Sequence, residues 1–152
     1  MQGSVYHLAL TDKDQGLPHP HVVVLTFSGN RDCLVVPAYS ADGFMINEYI
    51  DAQRARGREE SHLYVKLDNA EEIDFVQPFP AKEAIWCVAR MRRVSQTVVS
   101  KSTRIGQMKA PGLLKIASSL LAFSEIDPRD FSKSSTKALR NLVQILTDMT
   151  KT

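Results

Sequence analysis

The chain begins with short segments whose hydrophobic residues follow the pattern of β-strands. Ser4–Leu10 alternates with a period of two and predicts a first strand. Val22–Phe27 is apolar on both faces and predicts an inner strand, and Cys33–Val36 predicts the strand that returns after a turn at 28–32. Because the two strands of a hairpin run antiparallel, the beginning of the first and the end of the second meet at one edge of the sheet.

The middle of the chain changes from this strand pattern to a helical one and back. Between residues 37 and 60, apolar side chains at helical spacing predict a short helix; they are Met45, Ile46, Tyr49, Ile50 and Ala52. His62–Leu67 alternates and predicts another strand, which an acidic turn follows at 68–74. Prolines interrupt Phe75–Phe79, so this segment can form only a short strand or an edge strand.

The last part of the chain predicts one long strand and two helices. Glu83–Val94 reads as the strand, with a turn back at Thr97–Ser100. Residues 111–123 have a broad apolar face with a proline near the start, and residues 134–149 have apolar residues at helical spacing after a serine cap. This order predicts a single domain over 1–152 that is mainly β with α: a small antiparallel β-barrel with a helical insertion and two C-terminal helices.

The net charge of +2 is spread unevenly along the chain. Residues 84–124 contain no acidic residue, whereas a cluster of acidic residues precedes them at 68–74. The bases of this segment are Arg90, Arg92, Arg93, Lys101, Arg104, Lys109 and Lys115. Such a block is typical of a surface that faces phosphates, and it is equally typical of a solvated face balanced by the acidic turn.

The remaining composition narrows the class of protein. No apolar run approaches the length needed to span a membrane, and the first residues have no signal-peptide pattern, so we expect a cytoplasmic protein without a membrane partner. Cys33 and Cys87 lie in apolar strand-like runs, which favours two buried thiols over a disulfide. With no CxxC motif and four histidines, we predict no metal and no cofactor.

Several short segments follow one another in the order of a known family. They are Gly3–Leu8, Pro20–Thr26, Leu34–Ser40, His62–Leu67, Ala84–Arg90 and Ala110–Phe123. Together they resemble the strand motifs and closing helix of the MazF/PemK/Kid toxins, single-domain proteins with an SH3-like barrel. The resemblance covers about residues 3–123 and implies a barrel core over about 3–109. The helix at 134–149 lies beyond the usual family length; it covers the barrel, extends a dimer interface or occupies the site of an antitoxin.

The resemblance implies a function in RNA cleavage. Proteins of this family are metal-independent endoribonucleases that cut single-stranded RNA to a 2′,3′-cyclic phosphate and a 5′-hydroxyl. They act as homodimers and are inhibited by a cognate antitoxin protein. Ser40 falls on the catalytic Thr/Ser position of the family, but the catalytic arginine has no counterpart, because His19 or Pro20 stands in its place.

Histidines can supply the missing chemistry, since imidazole acts as base or acid near neutral pH. We therefore predict His19, His21 and Ser40 as catalytic residues. The residues predicted to contact RNA are Arg54, Arg56, Arg58, Arg90, Arg92 and Arg93. The alternative is a non-catalytic SH3-like barrel module that binds nucleic acid or a protein partner; a toxin with a different target is a third possibility.

Overall fold

A computed structural model describes residues 1–8, 19–27, 29, 31–40, 44–57, 64–76, 83–126 and 133–151. The strands are β1 Ser4–Leu8, β2 His19–Phe27, β3 Asp32–Ser40, β4 Val65–Asp68, β5 Ile73–Phe75, β6 Glu83–Trp86, β7 Arg92–Ser95 and β8 Thr103–Met108. The helices are α1 Phe44–Ala55, α2 Asn69–Glu72, α3 Gln96–Ser100, α4 Ala110–Ile126 and α5 Lys133–Thr150, with a 3₁₀ turn at Val88–Arg90. None of these helices is both long enough and apolar enough to cross a membrane.

The strands form one curled antiparallel sheet. Seven strands follow one another in the order β4-β6-β3-β2-β1-β8-β5, and β7 pairs with β3 outside this path. The long strand β3 shares one of its edges between two partners: Asp32–Val35 pairs with β7, and Ala38–Ser40 pairs with β6. Pro37 lies between the two and has no N–H to donate, but its carbonyl accepts from the N–H of Cys87 at 2.9 Å. The sheet therefore curls as a half-barrel, and the predicted mixture of strands and C-terminal helices is confirmed.

Both faces of the sheet are covered. The main core lies under α4 and α5, and its largest fully buried side chain is Trp86 of β6. The opposite face carries two smaller clusters, one under α3 with Tyr6, Leu8, Val23, Cys33, Val35 and Val99, and one under α1 with Ile50, Ile85 and Cys87. Helix α5 contributes Leu139, Leu142 and Leu146 to the main core. It therefore packs on α4 as part of the main core.

The prediction of one long strand over Glu83–Val94 is wrong. Two short strands, β6 and β7, replace it, and the 3₁₀ turn separates them with hydrogen bonds from Arg90 N to the Cys87 carbonyl and from Met91 N to the Val88 carbonyl, both 3.1 Å. Both strands pair with the same edge of β3, and the turn contains residues between them that do not pair with this edge. The interruption matters for the site because it takes Arg90 out of the strand.

Two further elements differ from the sequence prediction. The expected turn at Thr97–Ser100 is part of helix α3, whose first turn is capped by the Ser95 hydroxyl, which accepts from Thr97 N at 3.2 Å. Strand β8, which pairs with β1 and β5, was not predicted because its sequence, TRIGQM, is mostly polar. The edge strand β5 runs over Ile73–Phe75 at the end of the sheet, so it shares only Phe75 with the predicted Phe75–Phe79 and begins within the expected acidic turn; residues 77–79 lie outside the described part.

Gly106 in β8 permits the close approach of β5. A Cβ atom at this position would lie 2.8 Å from the carbonyl oxygen of Asp74 and 2.9 Å from Cγ2 of Ile73. We expect Gly106→Ala to lower the free energy of unfolding in urea by about 2 kcal/mol, because a buried clash with backbone forces the strands apart. Gly29→Ala is the matched control: a Cβ there meets no atom within 4 Å, and its effect should stay within about 0.5 kcal/mol. Equal stability of the two variants would contradict this packing.

Candidate active site at the edge of the sheet

The antiparallel hairpin brings the start of β2 to the end of β3. Its register pairs His21 with Pro37, and the same register continued by two residues sets His19 opposite Tyr39. His19 is also paired with Leu8 of β1, and Tyr39 with Ile85 of β6. The two rings therefore lie in one row across the sheet. The expectation that the ends of these strands share an edge is confirmed for the backbone.

Tyr39 contacts a histidine and an arginine at once. Its ring centre lies 4.9 Å from that of His19, with 49° between the ring planes. The hydroxyl of Tyr39 accepts a hydrogen bond of 3.2 Å from Nη1 of Arg90. All three side chains are half-buried. The result is an imidazole, a phenol and a guanidinium grouped at the open end of a hairpin.

Tyr39 is not among the site residues predicted from the sequence. The aromatic residue that contacts Arg90 comes from a distant segment of the chain, the end of β3, so the sequence around Arg90 does not indicate it. The signal was present in the hairpin: once His21 is paired with Pro37, the register alone sets Tyr39 opposite His19. The contact with Arg90 was not accessible in this way, because it depends on the unpredicted turn at Val88–Arg90.

His21 is completely buried, unlike His19. Its Nδ1 lies 2.8 Å from the carbonyl oxygen of His19. A carbonyl oxygen only accepts, so Nδ1 carries the proton in this contact. The Nε2 atom is also buried, so the folded chain encloses both ring nitrogens. The contact holds the backbone of His19 at the site, whereas the ring itself is shielded from a substrate in solution.

Ser40 is the last residue of β3 and pairs with Ala84 of β6. It directly follows Tyr39 along the strand. The backbone of Ser40, one of the predicted catalytic residues, is therefore one residue from the ring that contacts His19 and Arg90.

The predicted RNA-contacting arginines that the structure describes lie on different elements. Arg54 is held by Asp51 of the same helix at 3.0 Å, and Arg56 follows the end of α1 on the surface. Arg93 lies over the Phe27 ring at 4.4 Å, at the opposite end of β2 from His19. The Phe27 end of β2 is roughly 25 Å from His19 along the strand. Arg92 is half-buried and pairs with Val35, while Arg58 lies outside the described residues. Arg90 is joined to the site by its hydrogen bond to the Tyr39 hydroxyl.

The two cysteines are free and buried, as the sequence predicted. Burial raises the pKa of the Cys87 thiol to about 12, so it stays protonated at neutral pH. Burial and the nearby carboxylate of Asp32 also raise the pKa of the Cys33 thiol. Neither thiol is therefore an activated nucleophile. In the described part of the chain, no cluster of three or more His, Cys, Asp or Glu residues has a geometry that could hold a metal ion.

Comparison with known proteins identifies no relative of this chain. No protein-family model matches the chain, and no curated protein or solved structure matches it either. The interpretation of the site accordingly depends on the residues that form it and on the motifs described above. The fold and the site define a mixed α/β domain with a curled antiparallel sheet. An imidazole–phenol–guanidinium cluster lies where β2 begins and β3 ends.

Proposed function

We propose that this protein is a metal-independent endoribonuclease of the MazF/PemK/Kid type, in which histidine replaces the family's catalytic arginine. The observation that carries the proposal is the grouping of His19, Tyr39 and Arg90 at the hairpin end from which Ser40 follows. This set combines a group that transfers protons near neutral pH with a cation suited to a phosphodiester. The substrate class is single-stranded RNA, whose 2′-hydroxyl serves as the internal nucleophile.

The chemistry requires a proton acceptor, a proton donor and charge stabilisation. In the proposed reaction, His19 accepts the proton of the 2′-hydroxyl as the 2′-oxygen attacks phosphorus and the bond to the 5′-oxygen breaks. The 5′-oxygen gains one proton, so the reaction is balanced, and the imidazolium formed on His19 can return the proton it received. Arg90 stabilises the negative charge that grows on the phosphoryl oxygens, and Ser40 donates a hydrogen bond to them.

His21 takes a different role from the one predicted by its spacing to His19. Because its ring is buried and contacts the His19 carbonyl, the proposal assigns it to hold the backbone of His19 rather than to contact RNA. Proton transfer is therefore assigned to one histidine. The products are a 2′,3′-cyclic phosphate and a 5′-hydroxyl, as in the family that the motifs resemble.

The biological setting belongs to the same proposal. The curled antiparallel sheet is compatible with an SH3-like barrel, and the single domain would act as a homodimer in the cytoplasm. A cognate antitoxin would inhibit it by covering the site. The arginines away from the site, Arg54, Arg56, Arg58, Arg92 and Arg93, would contact the RNA on either side of the scissile phosphate.

Cleavage of RNA in the presence of EDTA tests the proposal. The purified protein is incubated with a set of single-stranded RNAs that cover all trinucleotides, beside an active member of the toxin family. We expect cleavage that EDTA does not inhibit, with fragments that carry a 2′,3′-cyclic phosphate and a 5′-hydroxyl. Intact RNA after incubation with folded protein, while the family member cuts it, would refute the proposal.

A second candidate function is a nucleic-acid-binding module without catalysis. The burial of His21 favours it, because it leaves the site with one of the two predicted proton-transfer groups accessible. Such a module would bind RNA with an affinity that falls steeply with salt, because arginines release counterions from phosphates. Salt-sensitive binding without any turnover in the cleavage experiment would select this candidate.

A further inference from the structure

We propose that Tyr39 is a positioning residue, which sets the placement of Arg90 and His19 relative to each other. The inference rests on the proposed function for its effect on cleavage, but its structural part concerns the contacts of Tyr39 alone. Neither the composition of the chain nor the motifs it shares with the toxins singles out this residue.

The ring of Tyr39 packs against apolar side chains. It packs against the cluster formed by Ile50, Ile85 and Cys87, which lies between the sheet and α1. Ile85 is also its paired residue on β6. A ring held by a helix on one side and a neighbouring strand on another has few accessible rotamers. Tyr39 is therefore a rigid support at the edge of the site.

Arg90 is held at the hydroxyl end of this support. Its Nη1 is 3.2 Å from the hydroxyl oxygen, while its guanidinium carbon is 5.5 Å from the ring centre. The second distance is close to the limit of about 6 Å for a cation–π contact. Of these two contacts with Tyr39, the hydrogen bond is the more directional one, so it restricts the orientation of the guanidinium more closely than the ring does. An arginine side chain without such a bond samples many rotamers, which lowers the fraction of molecules with the cation in place.

His19 is held by the ring itself. The ring centres are 4.9 Å apart at an angle of 49°, within the range of favourable aromatic pairs. One tyrosine thus contacts the imidazole through its ring and the guanidinium through its hydroxyl. Removing the hydroxyl should increase the mobility of Arg90 and leave His19 in place, whereas removing the ring should affect both side chains. This separation makes the proposal testable.

A double-mutant cycle between Tyr39 and Arg90 provides the kinetic test. We expect Tyr39→Phe to lower kcat about tenfold with little change in KM, because the cation is misplaced in the transition state while RNA is still bound. Arg90→Gln should lower kcat further, and adding Tyr39→Phe to Arg90→Gln should have no additional effect. Tyr6→Phe is the matched control, since Tyr6 is a buried tyrosine of another cluster. Independent effects of the two substitutions, or an equal effect of Tyr6→Phe, would overturn the proposal.

An NMR measurement keeps the test valid if the wild-type protein does not cleave RNA. In the wild type, the Nε–H group of Arg90 should show the relaxation of an ordered side chain. Tyr39→Phe should make it mobile without moving the His19 imidazole signals, and Tyr39→Leu should shift those signals as well. An Arg90 side chain equally ordered in wild type and Tyr39→Phe refutes the positioning role, whereas absence of cleavage with the expected NMR changes refutes only the ribonuclease.

Discussion

Replacing His19 with alanine is expected to reduce the rate of RNA cleavage at least about a hundredfold. General acid–base catalysis by a positioned side chain contributes roughly 10²- to 10⁴-fold to a rate, and the proposed reaction routes both proton transfers through this one imidazole. The measurement is the single-turnover rate on a short RNA in EDTA. Because His19 is half-buried at the start of β2, its truncation should change the melting temperature little.

His7→Ala is the control for this result. His7 is a histidine of the neighbouring strand, it is half-buried like His19, and it pairs with Pro20, beside His19. It should retain the wild-type rate within about threefold, since it has no role in proton transfer. Added imidazole should restore part of the activity of His19→Ala, because it replaces the missing proton-transfer group. It would not restore activity that had been lost through misfolding. A His19→Ala protein that cleaves at the wild-type rate would exclude His19 as the proton-transfer group.

Replacing Leu139 with alanine is expected to lower the free energy of unfolding by about 3 kcal/mol, within the range of 2–5 kcal/mol found for buried leucines. Leu139 is 0% exposed and belongs to the main core, although it comes from the last helix. A cavity at this position removes contacts within the main core, where α5 packs on α4. The measurement is chemical denaturation followed by circular dichroism and by the fluorescence of Trp86, the single tryptophan of the chain.

Ile145→Ala supplies the matched control in the same helix. Its side chain is 57% exposed, so its truncation should change stability by less than about 0.5 kcal/mol. Both probes should report one transition in Leu139→Ala if α5 is integral to the core. Loss of helical signal at a denaturant concentration where the Trp86 signal is still native would instead show that α5 is an appendage.

The elements with one consistent pattern could be predicted from the sequence. Helix α5 was expected over 134–149 and spans Lys133–Thr150, because its apolar residues recur at helical spacing without interruption. Strands β2 and β3 were recognised from their apolar runs, although both extend further than expected, over His19–Phe27 and Asp32–Ser40. These extensions contain polar and proline residues, whose strand conformation is imposed by pairing with neighbours.

The elements that depend on distant partners could not be predicted. Strand β8 has only two large apolar residues, Ile105 and Met108, and becomes a strand because β1 and β5 provide hydrogen bonds on both of its sides. The segment Glu83–Val94 has the composition of one strand, but its two ends must pair with different parts of β3. Local propensity is weak compared with the requirement to satisfy backbone groups across a sheet.

The candidate site divides in the same way. The sequence by itself determined that His19 and Ser40 come to one edge of the sheet, because antiparallel pairing follows from two adjacent apolar strands joined by a short turn. Only the tertiary structure decided that His21 is enclosed while His19 is half-exposed, and that Tyr39 joins Arg90 to His19. Burial and cross-strand contacts depend on where non-adjacent segments pack, and no local pattern of residues encodes that placement.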